Sequence, residues 1–202
     1  FYAPVSVGVD ANGQEQFFCT AATTGCVNGV TTIRGNPDAA DYRVIGNANP
    51  DFTLGFNSQI TWNRFDVSFL IHAAVGQEVF NNSALVYSSK ANALQGKNFL
   101  HEALSDPIGI TEPAIYSSRW IEDASFVRLQ NITIGYDLNL PFLMRTARSA
   151  RLYVAADNLL LITGYSGLDP EVYSGTGLAV RGVDYLVYPR PRTITGGLRL
   201  VF

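Results

Sequence analysis

The stretch "DFTLGFNSQITWNRFDVSFLIHAAV", Asp51 to Val75, constrains the fold more than any other. In its first half Phe52, Leu54, Phe56, Ile60 and Trp62 share one parity, and only Ser58 breaks their apolar run. Thr53, Gly55, Asn57, Gln59 and Thr61 share the other parity. The second half repeats the pattern: Phe65, Val67, Phe69, Ile71, Ala73 and Val75 lie opposite Asp66, Ser68 and His72. Side chains alternate with period two only on a strand, whereas a helix repeats every 3.6 residues. Asn63-Arg64 alone separates the halves, so the pair reads as an antiparallel hairpin with a tight turn. Its oily face needs a cover, either a second protein layer or the hydrocarbon of a bilayer.

Three later segments carry the same signal. In "SFVRLQNITIGYDL" the apolar parity slips from Val127 and Leu129 to Ile132, Ile134 and Tyr136, which predicts a β-bulge near Gln130-Asn131. "RLYVAADNLLLIT" alternates except at Asn158. In "RTITGGLRLVF", Ile194, Leu198, Leu200 and Phe202 oppose Thr193, Thr195 and Arg199. The expected strands span 51–62, 65–76, 125–138, 150–162 and 192–202. Links after Trp62 and Leu138 are short, while 77–124 and 163–191 are long. Consecutive links of an antiparallel meander fall at opposite ends, so all short links share one end and all long loops the other. Membrane β-barrels show this asymmetry, with strands long enough to cross at a tilt. Trp62, Phe65, Tyr136 and Phe202 fall at the short-link end, and Phe52 and Phe126 near the other, as interfacial aromatic girdles would. A soluble β-sandwich alternates as well. Loop asymmetry and the final Phe favour an all-β, antiparallel transmembrane barrel segment with long extracellular loops.

Composition narrows the function classes. Charged residues make up 15% of the chain and no long basic run exists, which argues against a nucleic-acid partner. No apolar run approaches the roughly 20 residues of a membrane helix, a fact silent about barrels. Residues 1–50 are rich in turn formers and read as a loop region outside the strands 51–202. "DANGQE" reads as a hairpin turn at Asn12-Gly13, because Glu15 and Ala21 occupy positions where a calcium loop needs its glycine and its bidentate Glu. A short helix is expected around 90–104. Cys19 and Cys26 form a local disulfide or remain free thiols, and a metal site lacks nearby ligands, His72 and His101 being distant. The chain starts on Phe1 and has its single Met at 144, so the expectation is a piece of a longer or processed protein.

Catalysis finds little support. The carboxylate pairs Glu122-Asp123 and Asp169/Glu171 lie in turn contexts, and no nucleophile elbow, P-loop or HExxH motif is present. No cofactor or metal is implied. His72 lies on the wet face of its strand. "YPRPRT" sets Arg190 and Arg192 beside Tyr188, either as a rigid proline turn launching the last strand or as a guanidinium–aromatic grip. Trp120, Tyr165, Tyr173 and Tyr185 in the long loops, with Arg190, are the candidate contacts for a substrate or partner.

"VIGNANPDFTLGFNSQITWNRFDVSFLI", "WIEDASFVRLQNITIGYDLNLP", "RLYVAADNLLLITGYSGLDPEV" and "VDYLVYPRPRTITGGLRLVF" together resemble the end of SusC/RagA-type TonB-dependent outer-membrane transporters, over roughly residues 41–202. The resemblance implies a plugged barrel of about 22 strands. It also implies energised uptake of oligosaccharides or peptides with a SusD-like lipoprotein lid, and contact with TonB through a plug encoded elsewhere. The remainder of the barrel, the assembly machinery and outer-membrane lipid are the other implied partners. Gly197, Leu200 and Phe202 resemble the assembly signal of outer-membrane barrels, with Gly196 standing where a polar residue is usual. Two readings rival the importer: a secreted β-sandwich binding module, and a structural or adhesive outer-membrane barrel.

Overall fold

The computed structural model describes residues 1–20, 25–32, 41–139, 149–174 and 180–202, with the side chains of 173–180 outside that set. The short link expected after Leu138 and the turn-rich 33–40 fall outside the described residues. The chain divides into two compact units, one of long strands (50–76, 125–164 and 188–202) and one of loops (1–49, 77–124 and 165–187).

The strand unit is one five-stranded sheet in chain order. Its strands are β1 (Phe52–Trp62), β2 (Phe65–Val75), β3 (Phe126–Leu138), β4 (Ser149–Thr163) and β5 (Thr193–Val201). Every neighbouring pair is antiparallel. Asn63 turns the first hairpin at φ 55°, a left-handed conformation that Asn tolerates better than most residues. Register aligns the apolar parities across all strands. Trp62, Phe65, Tyr136, Leu152 and Leu198 form one cross-strand row, and Leu54, Ala73, Val127 and Ile162 another. Phe65 and Tyr136 stack with ring centroids 4.5 Å apart.

That alignment depends on the bulge. Pairing shifts between Leu129 and Asn131 on both sides of β3, so Gln130 is an extra residue against β2. The two apolar half-strands, odd before the shift and even after it, thereby share one face. Across the same point on β4, Asn158 adopts φ 52°. Its break in alternation is a backbone event, again at a residue suited to it.

The apolar face is left uncovered: Leu54 is 59% exposed, Ile162 60% and Ile194 68%. A soluble sandwich would bury such positions between two layers. Both outer strands, β1 and β5, keep one edge unpaired among the described residues.

The loop unit is built from short pieces. Ser6–Val9, Glu15–Phe18 and Val30–Thr32 make a three-stranded sheet. Its first turn is pinned by Asp10, whose carboxylate accepts from Asn12 N and Gln14 N, with Gly13 at φ +80°. Glu78–Asn81 pairs antiparallel with Ile121–Asp123 and parallel with Val183–Asp184. Val79, Ala124, Tyr165 and Val172 form its small core, with Val187 packed against it. Around 90–104, where a short helix is expected, the chain makes Ala91–Leu94 and a 3₁₀ turn at His101–Leu104, and a further helix Asn82–Tyr87 precedes them. Gly96, at φ 69°, takes the chain out of helical geometry after Leu94. Cys19 and Cys26 are bonded, with Cα atoms 5.9 Å apart.

Candidate functional site

On the polar face, register brings together residues far apart in sequence. Asp66 on β2, Gly135 on β3 and Tyr153 on β4 share one row, and Asp137 lies opposite Arg151 in the next. The Arg151 guanidinium passes over Gly135 and pairs with Asp66, two strands away. A Cβ on Gly135 would collide with both partners. Glycine in a strand interior weakens the strand unless something approaches closely, and here an ion pair does. The pair was not read from sequence; the available signal was Gly135 itself, placed inside an otherwise β-favouring run.

A second cluster lies toward the long-loop end. Arg128 is 1% exposed, donates to Asn158 Oδ1, and sits 5.5 Å from the Phe126 ring centroid. His72 lies opposite Arg128 in register and meets Phe126 edge-on at 5.4 Å. Asn158 Nδ2 donates to the Arg190 carbonyl at 2.8 Å. The left-handed Asn158 thus ties buried Arg128 to the proline segment that launches β5. The polar face offers fixed charges and amides suited to a wet wall.

In the loop unit the carboxylates hold backbone and neighbouring side chains. Glu122 accepts from Asn81 Nδ2 at 2.9 Å, Ser166 N at 2.9 Å and Ser166 Oγ at 2.8 Å. Asn81 Oδ1 caps the helix Asn82–Tyr87 by accepting from Ala84 N. Asp169 accepts from Glu171 N at 2.9 Å. Asp169 closes a turn on Glu171 as expected, whereas Glu122 and Asp123 lie on the short strand Ile121–Asp123 and not in a turn, because Glu78–Asn81 pairs with them.

Tyr165 donates to Asp184 Oδ2 at 2.7 Å, and Ser83 Oγ accepts from Leu186 N at 2.8 Å. Burial, then the bond to Asp184, then the charges of Asp184 and Glu122 all raise the Tyr165 phenol above its usual 10.0. An unfolded tyrosine ionises near 10, so above that pH the unfolded chain holds fewer protons than the folded one. This contribution to stability is complete below about pH 10 and falls as pH rises further. Tyr165→Phe is expected to flatten that alkaline decline in chemical denaturation, and to cost about 1–3 kcal/mol by leaving Asp184 short of a donor.

The candidate contact residues separate by exposure. Trp120, in the 3₁₀ turn Ser118–Trp120, is buried with the Arg119 guanidinium 5.3 Å from its ring centroid. Tyr165 is buried in the loop core. Tyr185 is 50% exposed and Arg190 is exposed. The Tyr173 side chain lies outside the described residues. Gly197 lies opposite Tyr153, whose ring covers it; a Cβ there would stand 2.5 Å from the phenol Cζ. Leu200 and Phe202 share the parity of the uncovered apolar face.

No family model matches the chain. The TonB-dependent receptor P3 of Formosa agariphila is 36% identical over 182 residues, covering 83% of this chain. The TonB-dependent receptor SusC of Bacteroides thetaiotaomicron is 31% identical over 177 residues, again 83% of this chain. The RagAB peptide transporter structure superimposes on 99% of the chain with TM-score 0.76 at 23% identity. This chain is a barrel segment of a SusC/RagA-type TonB-dependent receptor. It spans 18% of the length of the first relative, 17% of SusC and 22% of the RagAB chain. In the open-open RagAB importer the match is 100% of this receptor segment, with TM-score 0.75 at 24% identity. The relatives are receptors and transporters rather than enzymes. For the receptor segment, the open-edged sheet is therefore a stretch of barrel wall whose remaining strands lie in sequence outside it.

Proposed function

We propose that the full-length protein is an outer-membrane importer that takes up oligosaccharides or peptides, energised through TonB and working with a SusD-like surface lipoprotein. The uncovered apolar face of the five-stranded sheet carries this reading. Side chains such as Leu54, Ile60, Leu160 and Ile194 are over half exposed in a sheet whose other face is polar. Burying such a face in hydrocarbon is favourable, while water or a channel suits Asp66, His72, Arg128 and Arg151 on the other. In lipid an open sheet edge leaves unpaired backbone groups costing several kcal/mol each, so the segment must pair into a closed wall. The relatives' names, and the peptide named for RagAB, support import in particular.

In this reading the short-link end faces the periplasm, and 1–50, 77–124 and 163–191 are extracellular loops. Tyr185 and Arg190 are the contacts to test for substrate or lid, because both are exposed. Trp120 and Tyr165 shape those loops from within. Gly197, Leu200 and Phe202 form the assembly signal that docks the last strand on the barrel-assembly machinery. An alternating strand with a free edge can extend another sheet during that step.

The test is growth and uptake by a host strain lacking the native gene, complemented with the full-length receptor and supplied with single oligosaccharide or peptide sources. Restored uptake of one source that depends on TonB is the expected result. Normal assembly with no TonB-dependent uptake of any source would instead fit a structural or adhesive barrel. Tyr185→Ala with Arg190→Ala is expected to lower uptake roughly tenfold at unchanged surface abundance, a loss typical of two modest contacts.

A further inference from the structure

β5 carries one charge, Arg199, on a polar face otherwise made of Thr193, Thr195, Gly197 and Val201. Its other face, Ile194, Gly196, Leu198 and Leu200, would meet lipid equally well after a slip of two residues. Backbone pairing repeats every two residues and does not forbid that slip. On the inner edge the register is set by the fit of the Tyr153 ring over Gly197. On the free outer edge Arg199 is the one charge of β5 that can mark a register.

Arg199 also stands directly opposite Arg151, a like-charge neighbour. Arg151 is committed to Asp66 across Gly135. Among the described residues no carboxylate pairs with Arg199. The Arg151 guanidinium is drawn across Gly135, away from β5, so a negative charge to answer Arg199 can come from the side where β5 has no neighbour.

We propose that the strand hydrogen-bonded to the free edge of β5, supplied by the receptor sequence outside this chain, presents a carboxylate on its polar face within reach of Arg199, and that this ion pair sets the register in which the wall closes. The occupant is a strand of the same protein, since the segment spans 18% of its relative's length and its sheet is open. The pair answers the one charge of β5 and gives the closing edge the chemical mark that its Thr, Gly and Val positions lack. The inference rests on the barrel-wall fold and not on import, so an assembly assay tests it separately from uptake.

The experiment uses the full-length receptor in outer membranes. Thr195→Cys, on the polar face of β5, is first cross-linked to identify the neighbouring strand by mass spectrometry. Arg199→Glu and Arg199→Lys are then compared by heat-modifiable gel mobility, which separates folded from unfolded barrel. Arg199→Glu is expected to lower the folded fraction roughly fivefold, as a directly opposed like charge does, and Arg199→Lys to stay near wild type. In the Arg199→Glu background, changing one polar-face Asp or Glu of the identified strand to Lys should restore the folded fraction. Wild-type folding of Arg199→Glu overturns the proposal, as does restoration obtained only from changes in the plug or elsewhere.

Discussion

Phe56→Arg in the full-length receptor should destabilise the folded barrel by roughly 2–4 kcal/mol, the cost of an arginine near the bilayer midplane. Phe56 lies mid-strand on the uncovered apolar face, 57% exposed, in the cross-strand row with Ile71, Leu129 and Leu160. Asn57→Arg, the next residue and of opposite parity, should cost far less, because that side of the strand meets water or polar groups. Its cross-strand partner is Leu70, followed by Asn131 and Asp157, so an added cation there has a carboxylate in the same row. Denaturation of the receptor in lipid vesicles measures both. Equal losses would mean that parity does not separate lipid from lumen, and the assignment of faces would be lost.

The second large effect concerns Gly197. Gly197→Val should cost about 1–3 kcal/mol by overpacking, because the Cβ position is occupied by the outer atoms of the Tyr153 ring. Tyr153→Ala in the same molecule should recover most of that loss, giving a strong favourable coupling in a double-mutant cycle. The alternative use of Gly197, as part of a signal read by the assembly machinery, has a different outcome. A signal lost at Gly197 would not be repaired from β4. Refolding of purified receptor into vesicles, without assembly factors, should show the same coupling if the slot is steric. Gly135→Ala should be milder, since its obstacles are the movable ends of Arg151 and Asp66, yet it should abolish the coupling between those two residues.

Much of the wall was legible because strand periodicity is a local property. The apolar alternation of Phe52 to Trp62 and Phe65 to Val75 specifies faces without reference to any neighbour. Even the bulge could be read, since an extra residue shifts parity and the shift at Gln130 shows in the order of apolar residues. Asn158 was visible as a break in pattern, though its left-handed backbone was not. The loop unit was far less legible. Its strands are two to four residues long, too short to display a period, and Glu78–Asn81 finds partners at 121–123 and 183–184. The short helix expected around 90–104 is present as two separate turns, Ala91–Leu94 and His101–Leu104, a division not visible in the pattern because short helices depend on tertiary contacts more than on propensity.

The chain alone determined that its long strands are two-faced, where they run, and which parity is oily, because each of these follows from side chains alternating along an extended backbone. Tertiary structure alone decided which charges meet. Asp66 and Arg151 are 85 residues apart in sequence, and only antiparallel register sets them two strands apart with Gly135 open between. Register is a relation between strands, so what it brings into contact (a ring over Gly197, a guanidinium over Gly135) has no trace in the periodicity of any one of them.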